Sequence, residues 1–266
     1  MALITFLSDG GREAGGAEPY VGGDLHSLVV DPTTGRLYVG GHGGVAGSDD
    51  QGRTWRQIDS LDGADAMGWA FTDGAILVGG HPGIFASTDG GATFEQRNEG
   101  LPATDIHALG SDASTVYAAS PQVGVLVSHD TGAGWEVVTE GAGQSFMGRI
   151  LVDPAEPDHL IAPDMQGGAV ESIDGGTTWS SLGGGGGAMW VSWEEGDPGH
   201  LIVSAMGSAT ESTDGGATWN PIEVPEGASI VELDPSDAGV VYAGVHDGES
   251  AIVWRSDDGG RTWARP

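Results

Sequence analysis

Apolar residues in this chain come in short runs, and the runs come in sets. One kind reads His26-Ser-Leu-Val-Val30 or Ile150-Leu-Val152 and often stops at an Asp-Pro pair. A second follows within a few residues: Leu37-Tyr-Val39, Ile76-Leu-Val78, Val116-Tyr-Ala118 and Val241-Tyr-Ala243. Runs this short, rich in β-branched and aromatic residues and bounded by Gly, Pro and Asp, predict β-strands. A third strand runs into an octet that recurs along the chain, and a fourth starts at the last residue of that octet.

The octet occurs six times. It reads Ser48-Asp-Asp-Gln-Gly-Arg-Thr-Trp55, Ser87-Thr-Asp-Gly-Gly-Ala-Thr-Phe94 and Ser128-His-Asp-Thr-Gly-Ala-Gly-Trp135. The later copies are Ser172-Ile-Asp-Gly-Gly-Thr-Thr-Trp179, Ser212-Thr-Asp-Gly-Gly-Ala-Thr-Trp219 and Ser256-Asp-Asp-Gly-Gly-Arg-Thr-Trp263. Successive serines stand 39, 41, 44, 40 and 44 residues apart, the length of a four-stranded propeller blade. The octet suits a tight turn: Asp can accept backbone N–H groups inside it, and Gly takes an angle that a side chain would forbid. The Trp then opens the next strand, with its ring free to pack between blades. The fold expected is all-β: a single six-bladed propeller over residues 25–266, led by a strand (Ile4-Thr-Phe-Leu7) and a Gly-rich segment within residues 1–24.

These octets match the Asp-box, or BNR, pattern S-x-D-x-G-x-T-W. The chain thus resembles the Asp-box propellers, a superfamily that includes sialidases, some endoglucanases and sortilin-like receptors. Phe94 in place of Trp and Gly134 in place of Thr depart from the pattern and should only loosen a local turn. Leu25-His-Ser-Leu, Met67-Gly, Gly80-His-Pro82 and Ile106-His-Ala-Leu109 resemble bacterial Asp-box proteins described as glycosyl hydrolases. The resemblance is specific for fold and weak for function.

Composition narrows the chemistry. The 266 residues hold 49 Gly, which disfavours helix interiors. Without Cys there is no disulfide, no thiolate metal knuckle and no thiol nucleophile. Nine basic residues, all Arg, against 39 acidic ones give a net charge of −30, which opposes nucleic acid and anionic membrane surfaces. No apolar run approaches the ~20 residues of a membrane span. Met1-Ala-Leu-Ile-Thr-Phe-Leu7 is too short and lacks the basic flank of a signal peptide. A monomer in a secreted or periplasmic setting is expected.

In a propeller, the start of the first strand and the end of the second share one face of the disc. The first-strand starts carry His26, Met67, His107, Met147, Met189 and Ser229. The second-strand ends carry His42, His81, Gln122, Met165, Met206 and His246. All five Met beyond Met1 fall at these positions, and so do five of the eight His. Imidazole and thioether without thiol form a copper donor set. The leading expectation is therefore a copper site at this mouth, for capture, storage or delivery. His26, His42, His81 and His107 would form its core, with Met67 and Met147 next; Met165, Met189, Met206 and His246 would complete the ring. Asp164 and Asp247 would add oxygen atoms. The competing reading is that Met simply fills a narrow channel. Register matters here. His26 and His107 lie five residues before the Asp ending their strand, whereas Met67 and Met147 lie six before theirs. Since strand faces alternate, the extra residue must be absorbed somewhere for both pairs to face the axis.

The sialidase chemistry implied by the resemblance fails residue by residue. It needs three Arg on inner strands, and only Arg149 stands at a first-strand start. Tyr38, Tyr117 and Tyr242 repeat one mid-strand position, which reads as packing. A glycosidase or glycan-binding propeller is the alternative, with Asp164, Glu194, Glu195, Glu232 and Asp247 as carboxylates and Trp69, Trp190 and Trp193 as stacking rings. A protein-binding platform is the second alternative, with Gly183 to Gly187 as a mobile loop.

Overall fold

A computed structural model describes residues 18–194 and 197–266. The expected strand at Ile4–Leu7 and the candidate Glu195 lie outside the described residues. What is described forms a six-bladed β-propeller without an α-helix; its one helical turn is a 3-10 segment at Asp59–Leu61. No helix among the described residues is long and apolar enough to cross a membrane.

Each blade is an antiparallel meander running outward from the axis. The first holds β1 (Leu25–Val30), β2 (Leu37–Gly41), β3 (Val45–Ser48) and β4 (Arg56–Gln57). The second holds β5 (Asp65–Phe71), β6 (Ile76–His81), β7 (Gly83–Ser87) and β8 (Glu95–Gln96). The third holds β9 (Ala108–Ser111), β10 (Val116–Ser120), β11 (Gly124–Ser128) and β12 (Glu136–Thr139). A short β13 (Gly148–Arg149) pairs in parallel with β9, so the third sheet borrows the start of the fourth blade. That blade continues with β14 (Leu151–Val152), β15 (Leu160–Asp164), β16 (Gly168–Ser172) and β17 (Ser180–Gly183). The fifth is β18 (Trp190–Glu194), β19 (Asp197–Ala205), β20 (Ser208–Ser212) and β21 (Asn220–Ile222). The sixth is β22 (Ala228–Asp234), β23 (Asp237–Asp247) and β24 (Ser250–Ser256), with a single Arg255–Ala264 bridge where its outer strand would run.

Burial falls from axis to rim, and sequence follows. The second strand β2 is buried throughout, while the outer β4 and β8 are exposed and read Arg-Gln and Glu-Gln. Apolar side chains on the inner strands pack between blades. Tyr38 of blade one stacks on Trp69 of blade two at 4.7 Å, and Phe94 meets Trp69 edge-on at 6.2 Å. Inner backbones approach closely as well. A Cβ at Gly68 would lie 2.5 Å from the Leu109 nitrogen of the next blade, so only Gly fits there.

The six octets all form the same turn. In the first, Ser48 Oγ donates to Asp50 Oδ1 at 2.9 Å and accepts from the Gly52 N–H at 2.9 Å. Asp50 also accepts from the Thr54 N–H and hydroxyl at 2.8 and 2.6 Å. Gly52 sits at φ +90°, and its counterparts Gly91, Gly132, Gly176, Gly216 and Gly260 are left-handed too. Gly134 keeps the backbone bond to Asp130 at 2.7 Å but has no hydroxyl to give. Two octet rings reach the preceding blade: Trp219 Nε1 donates to the Leu182 carbonyl and Trp263 Nε1 to the Glu223 carbonyl.

Candidate functional site

The inner strands start at one face of the disc and end at the other, and each face gathers side chains from several blades. At the end where these strands start, register brings His26 and Met67 to the same position. Both are bulge residues, between Leu25 and Ser27 in β1 and between Ala66 and Gly68 in β5. Ser229 is the bulge residue of β22. The extra residue of blade two falls beyond the paired part of β5, after Phe71. In blade four it falls at Gly148, a left-handed kink at φ +65°.

Around this mouth the first three blades carry one further repeated feature, Asp two residues before the ring position: Asp24, Asp65 and Asp105. His26 Nδ1 lies 2.7 Å from Asp65 Oδ1, and its Nε2 lies 3.4 Å from Asp24 Oδ2. His42 Nε2 stands 3.5 Å from Asp65 Oδ2, and the two imidazoles meet edge to face at 4.3 Å. Asp24 Oδ1 is fixed by the Leu25 N–H at 2.9 Å. Burial works to lower the His26 pKa, but the bond and charge of Asp65 and the charge of Asp24 outweigh it, and the net shift is upward. Burial likewise works to raise Asp65, yet the His26 hydrogen bond and the charges of His26, His42 and His107 hold it below the usual range. Asp24, His26 and His42 each offer a ligand atom within 4.8 Å of the others.

The remaining expected ligands are placed differently. His107 pairs with Asp105 at 3.0 Å, beside this group in blade three. His81 is exposed, and His246 Nε2 lies 3.0 Å from the Gly22 carbonyl oxygen. Met67 is buried, Met147 and Met189 are half-buried, and Met165 and Met206 are exposed on blades four and five. Asp164 is occupied by Ser145 and the Gln166 N–H, and Asp247 closes the β23–β24 hairpin opposite Ser250. The carboxylates that do reach His26, Asp24 and Asp65, were missed. Their signal was the Asp-x-His and Asp-x-Met spacing, repeated in the first three blades.

At the other end, on the side of the octets, lies a cavity of about 620 Å³. Phe71, Thr72 and Asp73 of blade two, Ser111 and Ser114 of blade three, and Arg149 of blade four are among its lining. Arg149 donates to Glu232 Oε1 at 2.6 Å, and Trp190 Nε1 donates to Glu232 Oε2 at 2.8 Å. The carboxyl of Glu232 is fully buried, and that burial pushes its pKa up to about 7 against the pull of Arg149 and the Trp190 bond. Fourth, fifth and sixth blades are thereby tied together near the axis. Glu232 therefore serves the fold and is unavailable as a glycosidase carboxylate. The three rings expected to stack on sugars, Trp69, Trp190 and Trp193, are buried, and of these Trp69 and Trp193 form part of the cavity wall. Of the cavity's aromatic groups only Phe71 is half-exposed. Gly187 and Gly184 of the expected loop are held by bonds to Met165 and Thr210.

No protein-family model matches this chain. No curated protein matches it either. Solved structures do. The GH74 xyloglucanase from Xanthomonas campestris is 20% identical with a TM-score of 0.64, over 93% of this chain and 46% of the enzyme. The GH74 enzyme of Niastella koreensis is 17% identical with a TM-score of 0.67, over 94% of this chain and 46% of the enzyme. A chain of a nidogen/laminin complex is 15% identical with a TM-score of 0.65, over 86% of this chain and 90% of that one. The chain thus spans about half the length of the GH74 enzymes. At such identities the likeness establishes the β-propeller fold.

Proposed function

We propose that this is an extracytoplasmic carbohydrate-binding propeller of the Asp-box type, with its glycan site in the cavity on the octet side. The observation that carries the reading is the cavity itself. Its volume, about 620 Å³, falls within the roughly 300–1,000 Å³ of small-ligand sites. Its lining mixes hydroxyl, carboxylate, guanidinium and apolar groups, the complement of a sugar's hydroxyl edges and C–H faces. Asp73 and Asp112 supply carboxylates to hydroxyl groups of a polyol, and the Arg149 guanidinium is held at the wall by buried Glu232. Two GH74 enzymes among the structural neighbours support carbohydrate over copper as the primary ligand. The six octet turns support the Asp-box assignment, and the heavy acidity without Lys supports a place outside the cytoplasm.

Titration calorimetry against cello- and xylo-oligosaccharides tests this. Binding is expected with the parent chain and is expected to weaken at least ~10-fold in Asp73→Ala, the loss of one hydrogen-bonding group to a ligand being worth about 1.5–3 kcal/mol. Asp73 is exposed, so its loss leaves the fold intact. No binding by the parent, or equal binding by both proteins, overturns the assignment of the cavity. Reducing-sugar release measured on the same ligands separates hydrolysis from binding alone.

A further inference from the structure

The opposite mouth gathers a second, separate set of polar side chains. We propose that Asp24, His26 and His42 bind one borderline divalent transition-metal ion, with Cu2+ foremost, and that Asp65 positions the His26 ring for it. The proposal stands apart from the glycan reading, since the two sites lie at opposite ends of the channel.

Three features of the mouth carry it. The first is convergence. Two imidazoles and one carboxylate from blade one, on either side of β1 and β2, bring ligand atoms within 4.8 Å of one another. The second is second-layer support. Asp65 Oδ1 stands 2.7 Å from His26 Nδ1, and this contact takes up that nitrogen. Its Nε2 is thereby directed to the side where Asp24 Oδ2 lies. A carboxylate that fixes one ring nitrogen so that the other can ligate is the usual outer support of a histidine–metal bond. Asp24 is similarly prepared, with Oδ1 held by the Leu25 N–H and Oδ2 turned to the ring. The third is access. The His26 side chain is 7% exposed, but those of His42 and Asp24 are 56% and 50% exposed, so an ion enters from solvent over two ligands onto a seated third.

The donor set decides the class of ion. Two nitrogens and one oxygen suit Cu2+, Ni2+ and Zn2+, with Cu2+ bound most tightly of the first-row divalent ions. Ca2+ and Mg2+ prefer all-oxygen shells. Of the expected thioethers, Met67 is buried in blade two, and Met165 and Met206 are exposed on blades four and five. A site of this composition lacks the soft ligands that favour Cu+. The net charge of −30 raises the local concentration of any cation at the mouth.

The test is titration calorimetry of the full chain with CuCl2 and, separately, ZnCl2, joined to electron paramagnetic resonance of the copper-loaded protein. One ion per chain is expected, with nitrogen hyperfine structure from two imidazoles. His42→Ala, a change at an exposed side chain, is expected to weaken Cu2+ at least ~10-fold and to remove one nitrogen from the spectrum. Asp65→Asn is expected to weaken it about 10–100-fold with both nitrogens retained, as loss of outer support does. His81→Ala and His129→Ala serve as controls and should leave the tight site unchanged. Equal copper affinity and an unchanged spectrum in His42→Ala overturn the proposal, as does loss of the tight site in either control. Both results leave the oligosaccharide titrations unaffected, so failure of one reading is distinct from failure of the other.

Discussion

Thr131 shows what a single residue of the octet costs. The fourth position of the octet is left-handed in every blade, and Gly fills it in four of them. Blade one places Gln51 there at φ +66° and blade three places Thr131 at φ +57°. A β-branched residue is the least suited to this region. Thr131→Gly is expected to stabilise the protein by about 0.5–1 kcal/mol, the relief of strain exceeding the added freedom of the unfolded chain. Urea denaturation checks it, and a lowered midpoint would count against the strain argument. Gln51 differs in that its side chain accepts a hydrogen bond from Arg255, which offsets part of the same strain. At this scale the sequence was legible: the Ser, Asp and Gly of each octet, and the Thr of every octet but the third, make the bonds their chemistry implies. The His26–Asp65 pair was not, because its partners are 39 residues apart and their meeting depends on two neighbouring blades.

The octet turn as an element responds to acid. In Asp50, Asp89, Asp174 and Asp214 the hydrogen bond from the octet Thr hydroxyl is the largest cause of a lowered pKa. In Asp130 and Asp258 the Ser hydroxyl leads. A carboxylate held below its unfolded value contributes stability that is present above that value and lost as pH falls through the folded one. All six turns shift in this direction, each discounted by the solvent that screens an exposed carboxylate. Thermal melts followed by circular dichroism are expected to show a fall in Tm as pH drops below about 4, and Asp174→Asn should make part of that fall disappear. A flat profile in this range would mean that the turns carry little of the fold. The strand pattern was readable at this scale as well, since short apolar runs alternating with turn residues leave few alternatives. The bulges at His26, Met67 and Ser229 were not, because pairing register is a property of two strands together.

The Arg149–Glu232 pair belongs to the molecule as a whole, since its partners stand on blades four and six. Removing the cation leaves a buried carboxyl without its partner. Arg149→Met is expected to destabilise by about 3–5 kcal/mol in urea unfolding, and Arg149→Met combined with Glu232→Gln to recover part of the loss. A loss by the single variant of less than about 1 kcal/mol would show that the tie contributes little. The pH dependence of this tie runs opposite to that of the octets. With its folded pKa raised to about 7, Glu232 retains a proton that the unfolded chain has already released. Its contribution to stability therefore falls as pH rises from about 4.5 to 7.

The chain alone determined the all-β class, the blade count and the turn chemistry, because each rests on residues near one another in sequence and is repeated six times. It also placed His26 and His42 at one mouth, since their positions follow from the blade repeat. Only the folded ring decided which of those side chains meet. Asp24 and Asp65 became the carboxylates of that mouth, Trp69 and Trp190 were withdrawn into packing, and Glu232 was spent on a buried tie. The reason is geometric: a repeat fixes each residue's height along its own blade, whereas contact around the axis depends on bulges, kinks and the approach of neighbouring blades.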